Sequence, residues 1–145
     1  MKRLILIIVI VILSIQYCFS QIPNGFWQEK TSIVSDKLLA GYTFSKDHKF
    51  EYSISEYDGL NPYIAFGGHY LIKGCRIYYM VSYIREKVGG KLCRNHIFML
   101  NDSWAITDSK VVMKKLIPSA KATELIKIGK KYIILDGFKY YKIDN

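Results

Sequence analysis

Apolar and polar residues alternate with a period of two along much of the chain. Phe50, Tyr52 and Ile54 take turns with Lys49, Glu51 and Ser53. That is the pattern of a β-strand with one face buried and one wet. The longest such stretch is residues 66–84, FGGHYLIKGCRIYYMVSYI. A two-residue turn at Lys73-Gly74 makes it a hairpin. This register sets Ile72 opposite Cys75, Tyr70 opposite Ile77, Gly68 opposite Tyr79 and Phe66 opposite Val81. Those residues, extended to Tyr83, form one apolar face. The other face carries His69, Leu71, Arg76, Tyr78, Met80, Ser82 and Ile84. Adjacent glycines in mid-strand, Gly67 and Gly68, predict a bulge or bend, or a Tyr79 ring lying over bare backbone.

The same reading extends in both directions. Residues 25–30 form a first strand, and 31–37 a polar loop. Residues 39–45 and 48–55 form a hairpin around Lys46-Asp47, and 58–62 a loop rich in turn residues. Beyond the central hairpin, residues 85–91 turn and 92–100 return beside the preceding strand. Residues 104–106 and 110–117 follow as strands. Pro118 ends the second of these, and the pattern over 119–124 is ambiguous, one option being one or two helical turns with Ser119 as N-cap. Three short strands close the chain, at 125–128, 131–135 and 138–143, with turns at Gly129-Lys130 and Asp136-Gly137. Many short strands with local hairpins predict an all-β fold. The expected form is an antiparallel up-and-down meander of about eight to ten strands, closed into a barrel that leaves no open edge.

Residues 1–20 stand apart. Lys2 and Arg3 precede an unbroken apolar run over 4–13, and Cys18-Phe19-Ser20 leads into Gln21. This is the layout of a secretory signal peptide cut near Ser20-Gln21. A retained membrane anchor and a lipid anchor on Cys18 are the other readings. The apolar core is short of the roughly 20 residues that span a bilayer, and bulky Tyr17 precedes the cysteine. The expectation is an exported protein, periplasmic or secreted, with one domain over residues 21–145.

Several short segments resemble the lipocalin family. Gly25-Phe26-Trp27 matches its G-x-W, and Thr107-Asp108-Ser109 matches part of its T-D-Y. Residues 44–52, the run Gly68-His69-Tyr70-Leu71-Ile72-Lys73-Gly74 and the closing Asp136-Gly137-Phe138-Lys139-Tyr140-Tyr141-Lys142 resemble small secreted lipocalin-like domains. No arginine follows Arg94, so the C-terminal arginine that covers the tryptophan in that family has no counterpart. The resemblance implies an eight-stranded barrel whose mouth holds a small apolar ligand.

Charge and cysteines narrow the function. The formal charge of +9 falls to about +7 without Lys2 and Arg3. The lysines are scattered, which suits solubility and protection of strand edges; export argues against a nucleic-acid partner. In the register that pairs Val88 with Lys91 and Ile84 with Asn95, Cys75 lies near Trp104, far from Cys93. Ten residues of strand span roughly 33 Å, and a disulfide needs Cα atoms within about 7 Å. Two free thiols are expected.

Catalytic and metal signatures are missing from the sequence. His48, His69 and His96 lack the spacing of zinc ligands. Cys93 and His96, three apart on a strand, point to opposite faces and make a poor nucleophile–base pair. Asp47, Glu51, Glu56 and Asp58 lie at strand ends without calcium-loop spacing. No enzyme, metal or cofactor is expected. Aromatic residues reach 14%, mostly tyrosine, an apolar body with a polar tip. Two functions follow. One is binding of a small apolar or amphiphilic ligand among Phe44, Phe50, Tyr52, Tyr70, Tyr79, Tyr83 and Phe98. The other is a protein-interaction module, an inhibitor or envelope accessory protein, acting through Tyr78, Met80 and Ile84. Those three are apolar on the face that should be wet, so either a partner or another segment of the chain covers them.

Overall fold

The computed structural model describes residues 21–29, 39–95 and 103–143. The signal-peptide segment, the 31–37 loop, His96 and Phe98 lie outside the described residues. The rest is strand and turn: β1 (Gly25–Glu29), β2 (Gly41–Phe44), β3 (Lys49–Ser53), β4 (Tyr63–Lys73), β5 (Arg76–Val88), β6 (Lys91–Asn95), β7 (Ser103–Thr107), β8 (Lys110–Ile128), β9 (Tyr132–Leu135) and β10 (Phe138–Ile143). Eight strands form a closed antiparallel ring in the order β1-β2-β3-β4-β5-β8-β9-β10, and β10 returns to β1. The remaining two, β6 and β7, pair only with each other.

Faces follow from the alternation. Phe50 opposes Phe44, and Tyr52 opposes Tyr42. With Tyr70, Ile72, Ile77 and Tyr79 they point into the ring, where all but the half-buried Tyr52 are buried. Trp27, Ile126, Ile133 and Leu135 complete the core from β1, β8 and β9. Rings touch throughout: Phe44 meets Tyr70 edge-on at 5.2 Å, and Phe50 lies 4.7 Å from Tyr79. Ile22, wholly buried, joins this core from the segment ahead of β1. It is held there by its neighbours. Gln21 donates to the Lys46 carbonyl in the β2–β3 turn (2.8 Å), and the Trp27 indole donates to the Pro23 carbonyl (3.0 Å).

The central hairpin forms in a different register from the one expected. Lys73 pairs with Arg76, Ile72 with Ile77, Tyr70 with Tyr79 and Gly68 with Val81. Gly74 and Cys75 therefore make the turn, with Gly74 at a φ of 59° that suits glycine. A slip of two residues along the partner strand preserves the faces, so Tyr70, Ile72, Ile77 and Tyr79 are buried as expected, while Cys75, expected on that face, is exposed in the turn. Past Gly68 the ladder shifts: Gly67 pairs with Tyr83 and Phe66 with Ile84. Ser82 is the extra residue of a β-bulge, and every side chain beyond it changes sides.

The strand beside β5 also differs. Residues 91–95 do not return along β5. Gly89 and Gly90, with φ of 70° and 100°, turn the chain away into the β6–β7 hairpin. That hairpin rests on the 58–61 loop, where Ile106 N–H donates to the Gly59 carbonyl at 3.0 Å. The neighbour of β5 is β8, paired from Arg76↔Leu125 to Val88↔Lys110. Small Ala120 and Ala122 oppose Val81 and Tyr79 there, and alternating small and large residues fit a narrow barrel. Residues 119–124, ambiguous in sequence, are thus strand, because pairing with β5 outweighs the local option of a helical turn. Pro118 does not end the strand either. It sits in an irregularity between the pairs Val81↔Ala120 and Tyr83↔Lys115, where a residue without an N–H is tolerated. The other edge of β8 meets β9 only at Ile126, Lys127 and Ile128.

Cys75 and Cys93 are free and exposed. They are apart for reasons other than the expected register. Cys75 lies in the β4–β5 turn, with its carbonyl accepting from Ile126 N–H at 2.8 Å. Cys93 lies on β6 opposite Ala105, its Sγ 3.2 Å from Thr107 Oγ1.

Candidate functional site: the open end of the barrel

The two ends of the barrel interior differ. At one end Ile22, Trp27, Phe44, Tyr70 and Ile72 are buried and close the interior. The Tyr70 hydroxyl is buried there beside the Ile22 backbone, and burial raises its pKa. At the other end the inward residues are only part-buried: Tyr52, Phe66, Val81 and Tyr140. Ala120 and Ala122 share the inner face of β8 yet are exposed. Beside them the β8 edge has no strand partner among the described residues. Water therefore reaches the interior from this side.

Four tyrosines and a carboxylate meet at the open end. Tyr42 lies 4.7 Å from Tyr52, 5.3 Å from Tyr140 and 6.3 Å from Tyr79 between ring centroids. The Tyr79 hydroxyl donates to Glu124 Oε2 at 2.9 Å, and the Tyr42 hydroxyl also bonds that carboxylate. Glu124 opposes Ile77 across the β5–β8 ladder, which turns it inward. Glu29 opposes Tyr140 across β1 and β10 and turns inward at the same end. No ion pair reaches either glutamate among the described residues.

Burial and this charge reinforce each other. Desolvation raises the Glu124 pKa above the ordinary carboxylate range. The Tyr79 and Tyr42 hydrogen bonds oppose the rise, and Asp136 adds to it. The tyrosines shift upward as well, first by burial, with the negative charge of Glu124 among the further causes for each. Tyr140 is pushed to about 12, with Tyr52, Glu124 and Glu29 acting after burial. Tyr42 and Tyr79 are held protonated far above the usual tyrosine value. All four hydroxyls are therefore hydrogen-bond donors at any physiological pH.

The sequence-predicted ligand residues divide. Phe44, Phe50, Tyr70 and Tyr79 are buried inside the barrel; Tyr52 is inside at the open end; Phe98 lies outside the described residues. Tyr83 is on the outside, because the Ser82 bulge reverses it. Its hydroxyl crosses bare Gly67 and donates to Glu51 Oε2 at 2.9 Å, while Arg85 Nη1 donates to Glu51 Oε1 at 2.9 Å. Burial and Glu51 push Tyr83 to about 12, with Arg85 opposing. So the bare backbone expected at the paired glycines is crossed by Tyr83, in place of Tyr79. The bulge also removes Ile84 from the outer patch, since it opposes inward Phe66. Tyr78 and Met80 stay outside, 41% and 45% exposed, and Leu71 joins them opposite Tyr78.

Sequence reasoning missed Glu124, Tyr42 and Tyr140 as residues of the site. Tyr42 was legible as an inward residue. Glu124 was hidden by the ambiguity of 119–124, and a lone glutamate at strand spacing after two alanines carries little signal by itself. A separate cleft of about 290 Å³ lies on the outer side, where Glu56, Asp58, Arg85 and Lys87 give it mixed charge. No group of three or more His, Cys, Asp or Glu able to hold a metal occurs among the described residues.

Fold and site define a closed, eight-stranded antiparallel barrel with an aromatic interior and one acidic, tyrosine-lined end. Comparison with protein families, curated proteins and solved structures gives no match.

Proposed function

We propose that the chain is an exported, lipocalin-like barrel that binds a small amphiphilic molecule at its open end and catalyses no reaction. The carrying observation is the contrast between the ends. Buried rings fill the interior at the Trp27 end, whereas Phe66, Val81, Ala120 and Ala122 present apolar, partly wet surface at the other. Tyrosine hydroxyls and Glu124 supply the few convergent polar groups that orient a ligand in such a site. An alkyl chain lying against the alanines would replace the water there. Native mass spectrometry of protein purified from its own host tests the reading. A bound small molecule, lost when Ala122 is replaced by Trp, supports it; protein that carries no small molecule and takes up no added long-chain alcohol refutes it.

A second reading rests on the outer patch of Leu71, Tyr78 and Met80, three exposed apolar residues side by side on β4 and β5. Such a patch suits a protein partner. The same spectra test it: an added protein mass that disappears in Tyr78→Ser supports this reading.

A further inference from the structure

We infer that the head group bound at the open end is a cation, an alkylammonium. The inference rests on the ligand-binding reading and names the class of ligand. The chain as a whole carries a formal charge of +9, so its average field draws anions. The open end is the local exception. Glu124 and Glu29 both turn inward there, and no lysine or arginine neutralises either among the described residues.

The rings add to the carboxylates. Tyr52, Tyr79 and Tyr140 lie around Tyr42 at centroid distances of 4.7 to 6.3 Å, with interplanar angles from 19° to 87°. Tyr42 and Tyr140 are near perpendicular at 87°. A group at the open end meets the part-exposed Tyr52 and Tyr140 rings, with Tyr42 and Tyr79 buried behind them. A cation is attracted by an aromatic face, and aromatic groups set at angles form the cages that hold alkylated ammonium ions. An anion meets the reverse: the Glu124 and Glu29 charges repel it, and Tyr79 and Tyr42 already donate to Glu124. A neutral alcohol gains only a hydrogen bond. The preference therefore runs ammonium, then alcohol, then carboxylate, opposite to the order that net charge alone would set.

Calorimetric titration of the purified protein at neutral pH and low salt separates these orders. The probes are decylamine, decanol and decanoate, each kept below its micelle concentration. Decylammonium binding at least tenfold tighter than decanol, with decanoate weakest, is expected. Glu124→Gln, checked for an intact thermal transition, brings the amine to the level of the alcohol. In the wild type the preference shrinks as salt rises, an arm that needs no variant. Equal binding of amine and alcohol overturns the cationic head while leaving the amphiphile reading in place. Binding of none of the three overturns both. An amine preference that survives unchanged in Glu124→Gln and in Glu29→Gln overturns the role given to the carboxylates.

Discussion

At Gly68 the backbones of β4 and β5 approach closely. A Cβ placed there meets the Met80 carbonyl oxygen inside contact distance. It also lies 2.9 Å from Ser82 N and 3.0 Å from Met80 C. All three atoms are main chain, so no rotamer change relieves the clash. The strands must part, or the bulge must move. Overpacking of this kind costs about 1–3 kcal/mol, and each ladder hydrogen bond stretched adds about 1 kcal/mol. Gly68→Ala is therefore expected to cost about 3 kcal/mol, or about 10 °C in midpoint for a domain of this size. Gly74→Ala is the control. Its φ is 59°, but nothing lies within 4 Å of the added Cβ. Only the left-handed backbone penalty applies, about 1–2 kcal/mol. Thermal unfolding followed by circular dichroism, with urea titration to check that m is unchanged, measures both. Gly68→Ala melting at or above Gly74→Ala would refute the close approach, and with it the bulge that turns Tyr83 out and Ile84 in.

Other expectations follow from the open end and the outer network. Tyr79→Phe removes the 2.9 Å donor to Glu124 and should cost about 1–2 kcal/mol, at the low end because water reaches the carboxylate; urea unfolding measures it. Because Glu124 is raised on folding, the native state holds its proton more tightly than the unfolded chain does. Its contribution is thus present at low pH and lost as pH rises from the ordinary glutamate range to its raised value, a slope that should vanish in Glu124→Gln. Tyr140 and Tyr83, both near 12, should leave the protein less stable as pH climbs above the usual tyrosine value of about 10. Tyrosinate absorbance in Glu51→Gln should show one group, Tyr83, titrating earlier than in the wild type. A double-mutant cycle on Arg85 and Glu51, whose side chains are 37% and 26% exposed, should give a coupling under about 1 kcal/mol.

Much of the fold was legible because strand patterning is local. The faces of β3, β4 and the first half of β5 came directly from alternation, and the Asp136-Gly137 turn from its residue pair, with φ of 45° and 92°. Partner choice was less legible. Gly89-Gly90 announces a turn without saying where the chain goes next. That β8 pairs with β5 depends on Ala120 and Ala122 fitting against Tyr79 and Val81, a complementarity between residues about forty apart. The site was half visible for the same reason. Its aromatic members stand out in any strand, but the exchange of Tyr83 and Ile84 turns on the single extra residue Ser82. Paired glycines predicted a bulge there; its position, and so which tyrosine it would turn outward, needed the partner strand.

The one-sided strand β8 has a consequence for crowding. Its edge over residues 110–124 meets no strand among the described residues, and Ile117 upon it is 90% exposed. Two copies could zip together there as neighbours in a growing sheet. Lys110, Lys114, Lys115 and Lys121 stand along that line, so approach of like edges brings like charges together. Solubility of the protein is then governed by a fence of four ammonium groups. Salt or lysine acetylation would lower that fence, and the first sign would be light scattering that grows with concentration while the barrel itself stays folded.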